Sequence, residues 1–201
     1  MRHLAAADQR FAALIERVGP CLLQIEKLGS PFAALAESIV YQQLTGKAAA
    51  TIHGRLVALF PRRRLTPEGI LGTHSRRLRG AGLSRAKVLA LKDLADKTLD
   101  GVVPTLRRLH TMPDDAIVER LTAVRGIGPW TVEMLLIFRL GRPDVWPVTD
   151  YGVRKGYATV FSRGRLPSPK LLARRGEAWR PYRSVAAWYL WRALEKTDGR
   201  A

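Results

Sequence analysis

The stretch from Asp114 to Gly141 constrains this chain more than any other, because it reads as two helices joined by a very tight turn. Ile117, Leu121 and Val124 recur at helical spacing, and Asp114 and Asp115 place negative charge where a helix N-terminus favours it. Gly126 and Gly128 break that helix and allow backbone angles closed to other residues. Pro129 suits the first position of a second helix, where its missing N–H would have had no partner. The second helix runs from Trp130 to about Leu140 and ends at Gly141, a natural C-cap. The N–H groups of residues 126 to 128 then face outward at a helix start, where they and the helix dipole suit a phosphate. No Lys-Ser/Thr follows the turn, so a nucleoside triphosphate is not held here in Walker fashion.

A second motif follows in Val145-Trp-Pro-Val-Thr-Asp150-Tyr-Gly-Val-Arg-Lys-Gly156. Pro147 blocks helix, Thr149 is placed to N-cap a new one, and Asp150 falls in its first turn, where an ionised carboxylate is favoured. Together G-I-G-P-W-T and P-x-x-D-x-G-V-R-K-G resemble, in order and spacing, the helix-hairpin-helix DNA glycosylase superfamily. The match is closest to its alkylation-repair branch, the 3-methyladenine DNA glycosylase II type. Either half alone would be weak, whereas the combination is specific.

Composition agrees with a polyanionic partner. Lys and Arg number 34 against 17 acidic residues, a formal net charge of +17. Cys21 is the only cysteine, which excludes an internal disulfide and a cluster held by four cysteines of this chain and points to a reducing compartment. The N-terminal residues 1–19 lack the apolar run of a signal peptide and read as one amphipathic helix, with Phe11, Leu14, Ile15 and Val18 on one face.

Further along, residues 21–28 are expected as a short helix closed by Gly29, and Pro31 opens a helix that turns polar at Tyr41-Gln-Gln-Leu44. Another helix begins after Gly46. The Q-Q-L-x-x-K-A-A-A pattern again resembles the glycosylases, where this corner enters the minor groove and plugs the gap left by the extruded base. That likeness points to Gln43 and Leu44, with Gln42 beside them. Residues 61–79 read as Arg-rich loops, and Ser84 as the N-cap of a helix continuing through Ala95. Near the C-terminus, residues 169–175 read as helix, and W-R-P-Y-R-S-x-A-A-x-Y-L-W matches the branch, in which the last Trp, here Trp191, lines the base pocket. The resemblance places Trp130 at the pocket too. Tyr41 joins them on its position beside the wedge.

The expected fold is all-α, a two-lobed helix-hairpin-helix glycosylase fold with the active site in the cleft between lobes. By resemblance one lobe covers residues 32–144 with the hairpin at about 116–140, and the other covers 1–31 plus 145–201 and carries a catalytic Asp150. The first matching helix begins near residue 10, so the N-terminal β-domain of some family members is not expected here. The implied activity is monofunctional excision of alkylated purines of the 3-methyladenine and 7-methylguanine type, by hydrolysis of the N-glycosidic bond after base flipping. The DNA contacts would come from Gln42, Gln43, Leu44, Gly126, Ile127, Gly128 and Thr131. No lyase activity is expected, because Trp130 stands where a bifunctional enzyme carries its lysine. The alternatives are a non-catalytic hairpin DNA-binding module and a glycosylase for deaminated bases. The partner is double-stranded DNA with a damaged base, and a monomer in the cytoplasm, nucleoid-associated if bacterial, is expected away from membranes. No cofactor or metal is required, although family hairpins can hold a monovalent cation through backbone carbonyls.

Overall fold

Residues 1–195 are described by a computed structural model, and every regular element among them is helical. Among the described residues thirteen α-helices are joined by loops and two short 3-10 turns, Pro61–Arg63 and Glu177–Trp179. Two units share them: Lys27–Leu135, and Met1–Glu26 with Leu136–Ala201. The sequence reading put these borders at 31/32 and 144/145. Here they fall at 26/27 and 135/136, the second inside the helix that follows the glycine turn.

The unit formed by 27–135 begins with α3 (Pro31–Tyr41), whose Ser30 side chain accepts from Ala33 N, and α4 (Gly46–Ala58). The Arg-rich residues 61–79, read from sequence as loops, fold into α5 (Pro67–Gly72) and α6 (Ser75–Gly80). Each has a side-chain N-cap, Thr66 on Gly69 N and His74 on Arg76 N, and each buries one apolar residue, Ile70 and Leu78. Caps of this kind contribute about 1 kcal/mol each and let short helices persist where periodicity over so few residues is silent. The long α7 (Arg85–Leu99) is capped by Ser84 on Lys87 N, the residue expected for it. Then come α8 (Leu106–Thr111) and the hairpin, α9 (Asp114–Thr122) and α10 (Pro129–Phe138). Leu35, Ile39, Leu56, Leu91, Leu94, Leu109, Ile117 and Leu121 are fully buried and make the core of this unit.

In the other unit the N-terminal segment forms two helices where the sequence suggested one. Asp8 adopts extended angles (φ −157°, ψ 128°), ends α1 (Arg2–Ala7), and caps α2 (Gln9–Val18) through Arg10 N. The apolar face of α2 is as expected, with Phe11 and Leu14 buried and Ile15 and Val18 partly so. The expected helix at 21–28 is absent. That segment runs irregularly after Pro20, and Glu26 N donates to Phe138 O at 2.9 Å while the Glu26 carboxylate pairs with Arg139 at 2.7 Å. Partners outside the segment satisfy backbone that a helix would have satisfied within it.

The same unit contains α11 (Tyr151–Phe161), α12 (Pro169–Gly176) and α13 (Arg183–Arg192). Its core is aromatic: Trp179 meets Phe11 and Trp146 edge-on, with ring centroids 4.9 and 5.1 Å apart. Tyr189, Leu190 and Trp188 of α13 are buried beside Val153 and Tyr157 of α11. These two helices touch where Gly156 has no side chain, since a Cβ there would run into the carbonyl of Leu190. Gly176 makes room in the same way for the indole of Trp146, whose Nε1 donates to Leu172 O at 2.9 Å.

Gly156→Ala therefore forces α11 and α13 apart. It should cost about 1–3 kcal/mol, the usual range for overpacking a core, read as a lower urea midpoint with unchanged slope. A wild-type midpoint would mean the two helices separate freely.

Candidate catalytic and nucleic-acid site

Asp150 is the N-cap of α11 itself, one step earlier than the sequence placed it. The amide of Asp150 donates to Pro147 O at 3.0 Å, so 147–150 closes as a turn and the cap passes from Thr149 to Asp150. The carboxylate Oδ1 accepts from Val153 N at 2.7 Å and from Trp191 Nε1 at 2.9 Å. Trp191 is held in turn by stacking on Phe138, with centroids 5.6 Å apart and planes inclined by 26°. Gly152 leaves the space they occupy, since a Cβ there would stand 2.8 Å from Trp191 Cδ1 and 3.1 Å from Asp150 Oδ1.

The loop leading to Asp150 is pinned on its other side. Arg183 grips the Asp144 carboxylate at 2.8 Å, and Arg180 reaches the same group at 2.7 Å. Buried Ser184 donates its hydroxyl to Arg142 O at 2.7 Å and accepts from Val145 N at 2.9 Å. With Trp146 buried in the aromatic core, the run from Arg142 to Asp150 has little freedom. The carboxylate at its end is presented in a fixed orientation, ready to act on charge that develops near it.

The remaining predicted residues lie in the unit 27–135. Tyr41, Gln42, Gln43, Trp130, Thr131 and Met134 line a cavity of about 500 Å³, within the range of small-molecule pockets. Tyr41 and Trp130 are partly open to solvent at 36% and 46%, and Leu44 is exposed at 39%. Gln43 stands at φ +57°, a left-handed conformation unusual for a residue with a side chain. Gln42 ties the two segments together, with Nε2 donating to Gly126 O at 2.8 Å.

The hairpin turn is tighter than the sequence implied. Only Gly126 takes a left-handed angle, φ +80°, and a Cβ there would press on Ala90 at 3.3 Å. Gly128 needs no such angle, and a Cβ on it would meet nothing within 4 Å. What it provides is open space for close approach to the backbone. Ile127 N donates to Val124 O at 3.0 Å, so of the three amides expected to meet a phosphate this one is used inside the turn. Ile127 and Thr131 are buried at 4% and 7%, so their side chains support the turn from within.

Sequence reasoning missed the residues behind this turn. Asp93 Oδ2 accepts Arg125 N at 2.7 Å and pairs with Lys97 at 2.8 Å, while Lys97 Nζ also donates to Ala123 O at 2.6 Å. Both sit one turn apart on α7, an Asp–Lys pair at i,i+4, which in sequence looks like any solvated helix face. Phe138 and Gly152 were missed as well, because apolar and glycine residues beside a motif carry no signal that they pack around a carboxylate and its indole partner. Among the described residues, no three His, Cys, Asp or Glu side chains are gathered as a metal site would need.

A family model described as the HhH-GPD superfamily base excision DNA repair protein matches residues 36–181. The chain is 35% identical to DNA-3-methyladenine glycosylase 1 of Schizosaccharomyces pombe, over 98% of this chain and 87% of that one. A solved structure of a 3-methyladenine DNA glycosylase from Schizosaccharomyces pombe, in complex with abasic DNA, superposes with a TM-score of 0.82 at 34% identity. It covers 95% of this chain and 94% of that one. The DNA-3-methyladenine glycosidase of Bacillus halodurans gives a TM-score of 0.85 at 36% identity, covering 96% and 87%.

The Asp93 brace has a pH signature. Burial disfavours its charged form, but the Arg125 amide and Lys97 outweigh this and hold the carboxyl below its usual value. A depressed carboxyl contributes stability that is present above the unfolded value of about 3.9 and is lost as pH falls through the lower, folded one. Asp93→Asn should therefore lower the melting temperature at pH 7, with the gap from wild type closing as the pH is taken below about 3.9. A gap that persists unchanged in acid would show that the carboxylate charge does not brace the turn.

Proposed function

The chain belongs to the HhH-GPD superfamily of base excision DNA repair proteins, and on that premise we propose that it is a monofunctional glycosylase that removes alkylated purines from DNA. The observation that carries this reading is the Asp150 carboxylate, fixed at the start of α11 by Val153 N and the indole of Trp191. Breaking the N-glycosidic bond of a purine leaves positive charge on the sugar. A pre-oriented carboxylate stabilises that charge without reorganising at the moment of reaction. The same group orients the attacking water or takes its proton.

The substrate class follows from the aromatic residues and the chemistry of the lesion. Methylation at a ring nitrogen such as N3 or N7 makes a purine cationic and weakens its glycosidic bond. Tyr41 and Trp130 bring electron-rich faces to a cavity of about 500 Å³, and half-buried Trp191 brings another beside Asp150. Such faces attract a cation by about 0.5–2 kcal/mol, more when water is excluded. The base must first leave the stack, which costs about a few kcal/mol and favours damaged, poorly paired bases.

The hairpin amides of Gly126 and Gly128 are read as a phosphate contact that positions the protein without reading sequence. Gln43 and Leu44 are read as the wedge that fills the vacated place in the duplex. The strained angle at Gln43 and the exposure of Leu44 support that role. A net charge of +17 supplies general attraction to the phosphate backbone. Position 130, just past the hairpin turn, is a tryptophan and offers no amine for a Schiff base, so the strand is left uncut.

Asp150→Asn keeps the shape and removes the charge. It should reduce excision by about a hundredfold or more, in line with roughly 3 kcal/mol for one lost preorganised interaction, while affinity for lesion-containing duplex stays near wild type. Single-turnover base release beside equilibrium binding measures both. Wild-type turnover in the Asn variant would reduce Asp150 to a helix cap.

A further inference from the structure

We propose that α7, through Lys87, Asp93 and Lys97, together with Gln42, locks the wedge loop and the hairpin into one register. The hairpin's grip on the DNA backbone then sets where Gln43 and Leu44 enter the duplex. This rests on the reading of the chain as a glycosylase that acts on duplex DNA with a wedge.

Four side chains, all within residues 27–135, make five hydrogen bonds that form a closed ring. Lys87 Nζ, at the start of α7, donates to Val40 O at 2.7 Å and to Gln42 O at 2.8 Å, two of the three carbonyls just before the wedge. Gln42 then reaches across from the wedge loop, donating Nε2 to Gly126 O in the hairpin turn. Further along α7, Lys97 donates to Ala123 O and Asp93 accepts from Arg125 N, on the other side of the same turn. Three side chains of one rigid helix thus hold two loops from behind, and a fourth ties the loops to each other.

The chemistry of the ring favours positioning over mere capping. An ammonium between two carbonyls makes charge-assisted bonds, stronger than neutral ones. Desolvation lowers the Lys87 pKa, so burial works against its charge, and the two carbonyls are the partners the ammonium has there. Gln43 follows directly at φ +57°, and a residue persists in that region only where its surroundings over-determine it. Lys87 and the Gln42 carbonyl supply that support. Lys87 touches neither substrate nor reacting atoms on this account. It is a positioning residue that acts through the wedge.

Lys87→Met keeps length and removes the donors, whereas Lys87→Arg keeps a cation able to bridge two carbonyls. Two readings are taken on folded protein of checked melting temperature. The first is fluorescence of 2-aminopurine next to an abasic site in duplex DNA, which rises when the stack is opened. The second is the ratio of excision rates from double-stranded and single-stranded methylated DNA. Lys87→Met should bind undamaged duplex within about twofold of wild type, lose the fluorescence rise, and lower the ratio about tenfold, with Lys87→Arg restoring both. Normal fluorescence and an unchanged ratio in Lys87→Met would overturn the proposal and leave Lys87 a helix cap. Should Lys87→Met not fold, Gln42→Leu cuts the ring at its other link, and the same two readings decide. A wild type that opens the stack but releases no base would refute the glycosylase reading, while the fluorescence still decides the positioning. A wild type that does not open the stack would overturn both.

Discussion

Everything the proposed chemistry requires depends on one carboxylate kept in a single orientation. Asp150 receives one backbone N–H and one indole N–H on the same oxygen. Each donor is itself held, Val153 by burial in the core and Trp191 by Phe138. The absence of side chains at Gly152 and Gly156 is as important as the bonds, because each lets a neighbour approach a position that a methyl group would occupy. Behind them the ion pairs of Asp144 with Arg180 and Arg183, and the buried Ser184 hydroxyl, fix the incoming loop. A carboxylate so constrained is preorganised, and preorganisation is what makes electrostatic stabilisation of a transition state effective.

The elements of 27–135 proposed to meet DNA follow the same design at the level of backbone. The hairpin turn presents glycines, but glycine alone specifies no conformation. The turn is defined by Asp93 and Lys97 on one side and Gln42 on the other. Polar groups that would otherwise be left in a tight turn without partners are used instead as handles. Stiffness there would serve the proposed phosphate contact, since such contacts carry register and not sequence.

Much of this was legible from the chain alone, where local chemistry has one reading. Gly126 and Pro129 announce a broken helix pair, Ser84 a cap, and the spacing to Asp150 the family. What was not legible depended on partners distant in sequence. The segment 21–28 has helical composition but gives its amide to Phe138 and its carboxylate to Arg139. The residues between 61 and 79 looked like loops, because caps at Thr66 and His74 with one buried residue per helix leave no periodicity to count. Gln42 was expected beside the wedge, but its bond to Gly126 joins positions far apart in sequence. Asp93 and Lys97 could not be told from an ordinary helix pair until Arg125 and Ala123 were placed beside them.

The most direct measurement of the central claim is the product released from methylated duplex DNA. Wild-type protein is incubated with a duplex carrying 3-methyladenine or 7-methylguanine, the supernatant is assayed for free base, and the strand is run on a denaturing gel before and after alkali. The account predicts free methylated purine in the supernatant and a strand that stays whole until alkali cleaves it at the abasic site. Binding with no base released would contradict it and leave a hairpin module that only holds DNA. Release accompanied by strand scission before alkali would contradict the hydrolytic role given to Asp150.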